Sequence, residues 1–224
     1  MKLKKYTQKM FDAIPIVNCI KNCPFGDYSD IKIFQSNCVF AGECRFGNDS
    51  MFGIMCKFGP LCSFGLYCKF DDNCEFENAC MFGHESAFGK YCFFGDDCSF
   101  LGNCNFLEYC SFSYSSMFGR QCWFSDCCIF GEDCSFGDYS TFGKSCVCEF
   151  GEFDNMVSCC RFGSAERTTY FFHLINGDIF VRCGCFSGSL NEWEEQVKET
   201  HKGTHLGTAY LLLIPAIKEQ FLNN

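Results

Sequence analysis

From Cys38 to Cys146 every sixth residue is cysteine or serine, and two residues after each of them, as far as Phe142, stands a phenylalanine. Of the 19 positions on this six-residue step, 15 are Cys and four (Ser50, Ser86, Ser116 and Ser140) are Ser, while all 18 positions from Phe40 to Phe142 are Phe. A helix of 3.6 residues per turn cannot keep such a repeat on one face, whereas C-x-F is a short strand whose first and third side chains point the same way. Glycine follows the Phe in 11 of the 18 repeats. It is expected to supply the corner, where positive φ costs it little.

These residues resemble the hexapeptide repeat of left-handed parallel β-helices, in which a large apolar residue, often followed by Gly, comes two positions after a small one. The resemblance implies left-handed winding and three repeats per triangular coil of 18 residues, hence about six coils spaced roughly 4.8 Å apart. Phe in place of Ile, Val or Leu is a departure, since three rings per coil must fit inside the triangle. Stacked coils turn each position into a column, with Cys56, Phe58, Cys62, Phe64, Cys92, Phe94, Cys98 and Phe100 as typical core members. Cysteine is a small hydrophobe that fits beside a large ring, and serine has nearly its volume. A metal wire or redox ladder is the rival reading, but free exchange with Ser argues against a required thiolate.

The expected fold class is therefore mainly β: a parallel solenoid with a Phe/Cys core over residues 38–162, preceded by an N-terminal cap over 1–37. At Cys146 the array slips by two residues to Cys148 and Phe150 and then continues to Cys160 and Phe162. Beyond, period two replaces period six. "TTYFFHLINGDIFVRCGCF" reads as a β-hairpin turning at Asn176 and Gly177. Ser189 and Glu192 make a capping-box pattern that opens one amphipathic helix, and a second runs through "TAYLLLIPAIKEQF", shortened or kinked at Pro215. Residues 163–224 are thus expected to form a hairpin-helix segment that caps the solenoid.

With 23 Cys in 224 residues, a secreted disulfide scaffold has to be considered. The start "MKLKKYTQKMFDAIPIVN" has no apolar run of signal-peptide length, and no stretch of about 18 apolar residues occurs, so free thiols in a reducing cytoplasm and no membrane partner are expected. The "CPFGDYSDIK" string, the Cys/Phe array and the tail "GDIFVRCGCFSGSLNEWEEQVKETH" also resemble C-x-F-G repeat proteins of phages, prophages and gut bacteria. That resemblance implies no activity.

Many proteins of the hexapeptide fold are acyltransferases, whose resemblance to one another lies in a catalytic His at a coil facing an intersubunit cleft of a trimer. The alternative enzyme reading therefore falls on His84 with the adjacent Glu85, the only His inside the array. The region from Cys38 to Phe162 holds 17 acidic and 7 basic residues, net −10, which repels nucleic acid and opens a third reading as an acidic mimic of it. The reading preferred here is a non-enzymatic binding or scaffolding protein without a cofactor. Its partner is an unidentified protein, with a homo-oligomer left open. Arg182, Trp193, His201 and His205 in the non-repetitive tail are the candidate binding residues. A zinc site joining His173, His201 and His205 to Cys183 and Cys185 lacks the usual ligand spacing, so no metal is expected.

Overall fold

The structure is a computed structural model that describes residues 3–137, 139–162 and 167–222. It divides into two compact units, Met1–Glu149 and Phe150–Asn224. In the first, two-residue strands recur every six residues, and each pairs in parallel with the strands 18 residues away: Lys57 faces Val39 on one side and Glu75 on the other. Three sheets result, and the unit is a parallel β-solenoid of about seven turns. The first face carries Phe40, Phe58, Phe76, Phe94, Phe112 and Phe130, the second Phe46 through Phe136, and the third Phe52 through Phe142. In every strand the Phe points inward and the residue before it outward, which is the period-two alternation of a half-buried strand.

Within a column neighbouring rings lie nearly parallel, as for Phe82 and Phe100 at 4.7 Å and 4°. Between columns they meet edge to face, as for Phe94 and Phe100 at 5.1 Å and 82°. Both arrangements satisfy the ring quadrupole, so three rings per coil fill the triangle without a sandwich clash. The cysteines fill the space beside them and also stitch coils together. Most array thiols donate to the carbonyl 21 residues earlier, as in Cys62 to Ala41 (3.5 Å), Cys98 to Glu77 (3.6 Å) and Cys110 to Gly89 (3.2 Å). Serine has a shorter reach, and Ser86 and Ser140 bond within their own turn, to Gly83 at 3.0 Å and to Gly137 at 2.8 Å, while Ser50 bonds both Gly47 and Ile31 of the preceding coil and Ser116 Oγ finds no protein partner.

The corner chemistry differs from the expectation. At every corner of the array the residue just before the Cys, rather than the glycine after the Phe, adopts positive φ, from Glu43 (59°) through Leu61 (61°) and Tyr91 (58°) to Ser145 (55°). Its N–H donates to the next coil, as Leu61 does to Asn78 O at 3.0 Å and Tyr91 to Glu108 O at 3.1 Å. That repeated bond offsets the strain of a left-handed residue with a side chain. Glycine is required for closeness: a Cβ on Gly65 would stand 2.3 Å from Asn48 Oδ1, and one on Gly89 would stand 2.5 Å from Asp72 Oδ1. Those same oxygens accept the N–H of Leu66 (3.0 Å) and Lys90 (2.8 Å) from the following coil.

The solenoid starts earlier than the array. Ile20–Cys23, Asp27–Tyr28 and Ile33–Phe34 form a full coil in which Cys23 faces Phe40, Tyr28 faces Phe46 and Phe34 faces Phe52. Closure at this end is done by the residues before it. Tyr6 stacks on Tyr28 at 4.6 Å, and Phe11 of a short helix, α1 (Gln8–Asp12), meets Phe34 edge-on at 5.2 Å. Lys21 occupies a cysteine position. Its buried Nζ donates to Phe11 O at 2.9 Å and lies 4.3 Å over the Phe11 ring. At the other end Val147 faces Ile129, so Cys148 takes the place that Phe130 holds one coil earlier. The slip read in the sequence is thus a Phe-to-Cys exchange, and the first Phe column ends in cysteine on both sides.

The array also stops sooner than Phe162. Gly151–Phe162 is one long strand paired antiparallel with Arg167–Leu174, with register shifts at Phe153/Asn155 and Cys159/Phe162, instead of a further set of coils. Ile179–Cys183 and Phe186–Ser189 complete a four-stranded antiparallel sheet in the second unit. The expected hairpin is present, with Gly177 at φ 89°. Two helices follow, α2 (Leu190–Thr200), opened by the Ser189/Glu192 capping box, and α3 (His205–Leu222), which runs through Pro215 rather than ending there. Phe171, Val181, Leu190, Trp193, Val197, Tyr210, Ile214 and Phe221 form the core of this unit.

The described cysteines are free thiols. Cys68 stands in its column between Ser50 and Ser86, and burial pushes its thiol up to about 11. In the all-cysteine column, Cys56 and Cys128 draw hydrogen bonds from both flanking thiols, which favours ionisation there and pushes Cys38, Cys74 and Cys146 up. Lys21 stands in register with Cys38 at one end of the column but turns its Nζ to Phe11 O, and burial keeps the cysteines neutral. Burial also raises Tyr28. A pKa raised by folding gives stability that is complete below the unfolded value near 8.5 and is lost as pH rises through the folded value. For Cys68 this amounts to roughly 3 kcal/mol between about pH 8.5 and 11. The urea midpoint is therefore expected to be flat from pH 6 to 8 and to fall steeply above about 9. A midpoint unchanged up to pH 11 would contradict a neutral thiol core.

Candidate functional site

Packing accounts for the inward residues of the solenoid, so any site has to be sought on its outward positions and corners. Many corner acids are committed to structure. Asp72 and Asp126 accept the backbone N–H groups of Lys90 and Lys144 at 2.8 Å, and Asn78 accepts that of Asp96 at 3.0 Å. Glu75 pairs with Lys57 at 2.7 Å and Glu108 with Lys90 at 3.2 Å. His84 and Glu85 are exposed at a corner where neighbouring coils run on in register, with Met81 facing Ser63 and Ser99. His84 O accepts the Tyr67 N–H, so its backbone serves the corner ladder.

Large apolar side chains gather where the third face turns into the first. Phe93 (45% exposed), Trp123 (59%) and Ile129 (50%) lie there over three successive coils, together with exposed Leu107, Tyr91 and Tyr109. The rings of Tyr91 and Tyr109, both corner residues, stack at 4.9 Å. Strand geometry forces this exposure, because a residue between an inward Cys and an inward Phe must point out. An apolar edge of this kind on an acidic body is the feature for which the fold itself supplies no use.

The tail candidates are placed differently from their expected role. Trp193 is only 3% exposed and makes edge contacts with Phe171 at 5.5 Å and Tyr210 at 5.4 Å, which makes it the centre of the second unit's core instead of a binding residue. Its position in α2, four residues before buried Val197, is the helical spacing of a core face. Arg182 is half-buried on the sheet. His201 is half-buried beside Tyr210 and caps α2, while His205 is exposed at the start of α3. Cys183 accepts from the Thr169 hydroxyl at 3.1 Å, and Cys185 is exposed. Among the described residues no three His, Cys, Asp or Glu side chains come close enough to hold a metal ion.

One arrangement escaped the sequence reading. His173 Nδ1 lies 2.7 Å from Asp154 Oδ1, with its ring stacked on Phe221 at 5.1 Å. Nothing in the local sequence links residues 19 apart across a hairpin whose first strand was assigned to the array. The outward positions of Phe93, Trp123 and Ile129 are legible from the C-x-F repeat, and Tyr91 and Tyr109 stand 18 residues apart. Among the described residues no helix is long and apolar enough to cross a membrane. Comparison with protein-family models, curated proteins and solved structures returns no match.

Proposed function

We propose that the chain is a non-enzymatic binding or scaffolding protein, a stiff acidic rod that takes a protein partner on the edge formed by Phe93, Tyr109, Trp123 and Ile129. The observation that carries this reading is the exposure of those side chains over three adjacent coils. Around them the array has an excess of carboxylates, so the matching surface is apolar in the middle and basic at its rim. Supporting a binding rather than a catalytic role, His84 sits on a corner with coils continuing in register on both sides, without a loop to cover an acyl donor. Asp72 and Asp126 serve backbone N–H groups of their own rod, which favours a structural use of acid over nucleic-acid mimicry.

We further take the winding to be left-handed and the chain to be akin to the phage and prophage C-x-F-G repeat proteins. The support is the small-x-large pattern at a six-residue step together with the quoted strings. Free thiols favour a reducing compartment such as the cytoplasm.

The test uses the variant Trp123→Ala/Ile129→Ser. Both side chains are exposed, so its unfolding free energy is expected to stay within about 0.5 kcal/mol of the parent. Capture of the partner from host extract is expected to fall at least tenfold relative to the parent, with Glu152→Gln as an indifferent control. Equal capture by the double variant, or no specific capture by the parent, would refute the reading.

A further inference from the structure

The outward column of the second face differs from the other two. It runs Ser63, Met81, Ser99, Met117, Ser135, a strict alternation of small and long side chains on successive coils, with Met81 56% and Met117 55% exposed and the serines half-buried. Charged residues stand within the first face's column at Lys57 and Glu75 and within the third's at Lys69, whereas on the second face they stand only at its start, at Asp27 and Arg45. On the second face the positions two residues after the serines and methionines are Gly65, Gly83, Leu101, Gly119 and Gly137, so this margin is low and lets another surface come near. The result is a row of knobs and notches repeating every two coils, roughly 10 Å.

We infer that this face binds the same face of a second copy of the chain, with the two rods antiparallel and each methionine seated over a serine of the partner. Few surfaces carry knobs at a spacing of two coils; another rod of this kind does so by construction. Two-fold symmetry along the rod axis would place Met81 on its own counterpart and leave the serines facing one another. A two-fold axis across the rod, between the Met81 and Ser99 coils, instead sets Met81 on Ser99 of the second copy and Met117 on Ser63. The same operation lays Leu101 against Gly83. The structure already holds a recess for one of these contacts: a groove of about 370 Å³ lies over Ser63, walled by Leu3, Phe25, Leu61 and Met81 with Glu43 and Arg45 at its rim. Arg45 and Ser135 meet at each end, giving a polar rim about an apolar middle, as interfaces commonly have.

Seven strands give a face about 30 Å long, and the outward column with the positions flanking it on either side makes it roughly 13 Å wide. About 400 Å² per copy, roughly 800 Å² in all, is below the roughly 1,000 Å² of a stable interface, so the dimer is expected to be weak and concentration-dependent. The inference is independent of the partner edge, which lies between the other two faces.

Sedimentation velocity in reductant from 5 to about 300 µM tests it, with far-UV spectra to confirm that each variant is folded. The parent chain is expected to shift from monomer to dimer over this range. Met117→Lys and Ser99→Met should each weaken association at least tenfold, the first by placing a charge in the notch over Ser63, the second by setting methionine against methionine. The double swap Met81→Ser/Ser99→Met restores one methionine and one serine at every contact of this register and should recover the dimer. A parent that stays monomeric, or a dimer indifferent to Met117→Lys, would overturn the inference. A double swap that remains monomeric while Met117→Lys disrupts the parent dimer would overturn the register.

Discussion

Replacing Phe100 by alanine is expected to lower the unfolding free energy by about 3–5 kcal/mol, the range for truncating a buried aromatic ring. Phe100 is fully enclosed. It stacks on Phe82 at 4.7 Å and Phe118 at 4.9 Å and meets Phe94 and Phe106 edge-on at 5.1 and 5.0 Å. Its neighbours are held by inter-coil hydrogen bonds on both sides and cannot collapse into the gap, which puts the cost at the upper end of the range. Cys98→Ser, two residues away, provides the contrast. It keeps the volume nearly constant and exchanges the weak bond from Cys98 to Glu77 O for one within its own turn, as Ser86 already does. A cost of about 1 kcal/mol is expected. Because each coil touches only its neighbours, the alanine lesion should also split unfolding into two phases, one on each side of the gap. Urea denaturation followed by far-UV circular dichroism checks both points. If Cys98→Ser cost more than Phe100→Ala, thiols rather than rings would hold the rod together.

The solenoid was legible because its constraint is periodic. One Phe column every 18 residues can arise only if coils stack, and the pairing of Phe58 with Phe40 and Phe76 follows that arithmetic. What the period could not convey was its own limits. The first coil uses Cys23, Tyr28 and Phe34 at steps of five and six, so the same burial is present without the pattern. At the far end Cys148 copies a phenylalanine's place, and the continuing C-x-F strings suggested further coils where the backbone turns instead into the long antiparallel strand Gly151–Phe162. Local strings report side-chain preference, whereas the switch from coil to antiparallel sheet is decided by the pairing partner, which lies beyond the local window. The candidate site was less legible for a related reason. Trp193 looked like a binding residue by type, yet its helical neighbours Leu190 and Val197 place it on a core face. The outward placement of Phe93, Trp123 and Ile129 follows from the repeat, but their gathering at one corner depends on which columns border it, and that is visible only once the chain is wound.

Gly119→Ala is expected to cost more than about 3 kcal/mol, although nothing about its own dihedral angles demands glycine. A Cβ there would stand 1.5 Å from Leu101 O and 2.3 Å from Leu101 C, both backbone atoms of the preceding coil. Backbone cannot swing aside as a side chain does. Phe100 faces Phe118 and Gly102 faces Arg120 across the same strand pair, so moving the Leu101 carbonyl breaks ladder bonds on both sides of it. Gly177, at φ 89° in the hairpin with no other atom within 4 Å of a would-be Cβ, makes the comparison. Its replacement by alanine should cost about 1 kcal/mol, the strain of a left-handed residue alone. The usual expectation, that a glycine in a turn at positive φ matters most, is thereby reversed. The reason lies in the corner: Gln121, at φ 58°, bears the left-handed conformation that a turn glycine would normally take, leaving Gly119 to set the distance between coils. Urea denaturation of the two variants decides the matter. A Gly119→Ala protein within about 1 kcal/mol of the parent would show that the coils can part to admit a methyl group, and close approach would then not explain the glycine that follows so many of the phenylalanines.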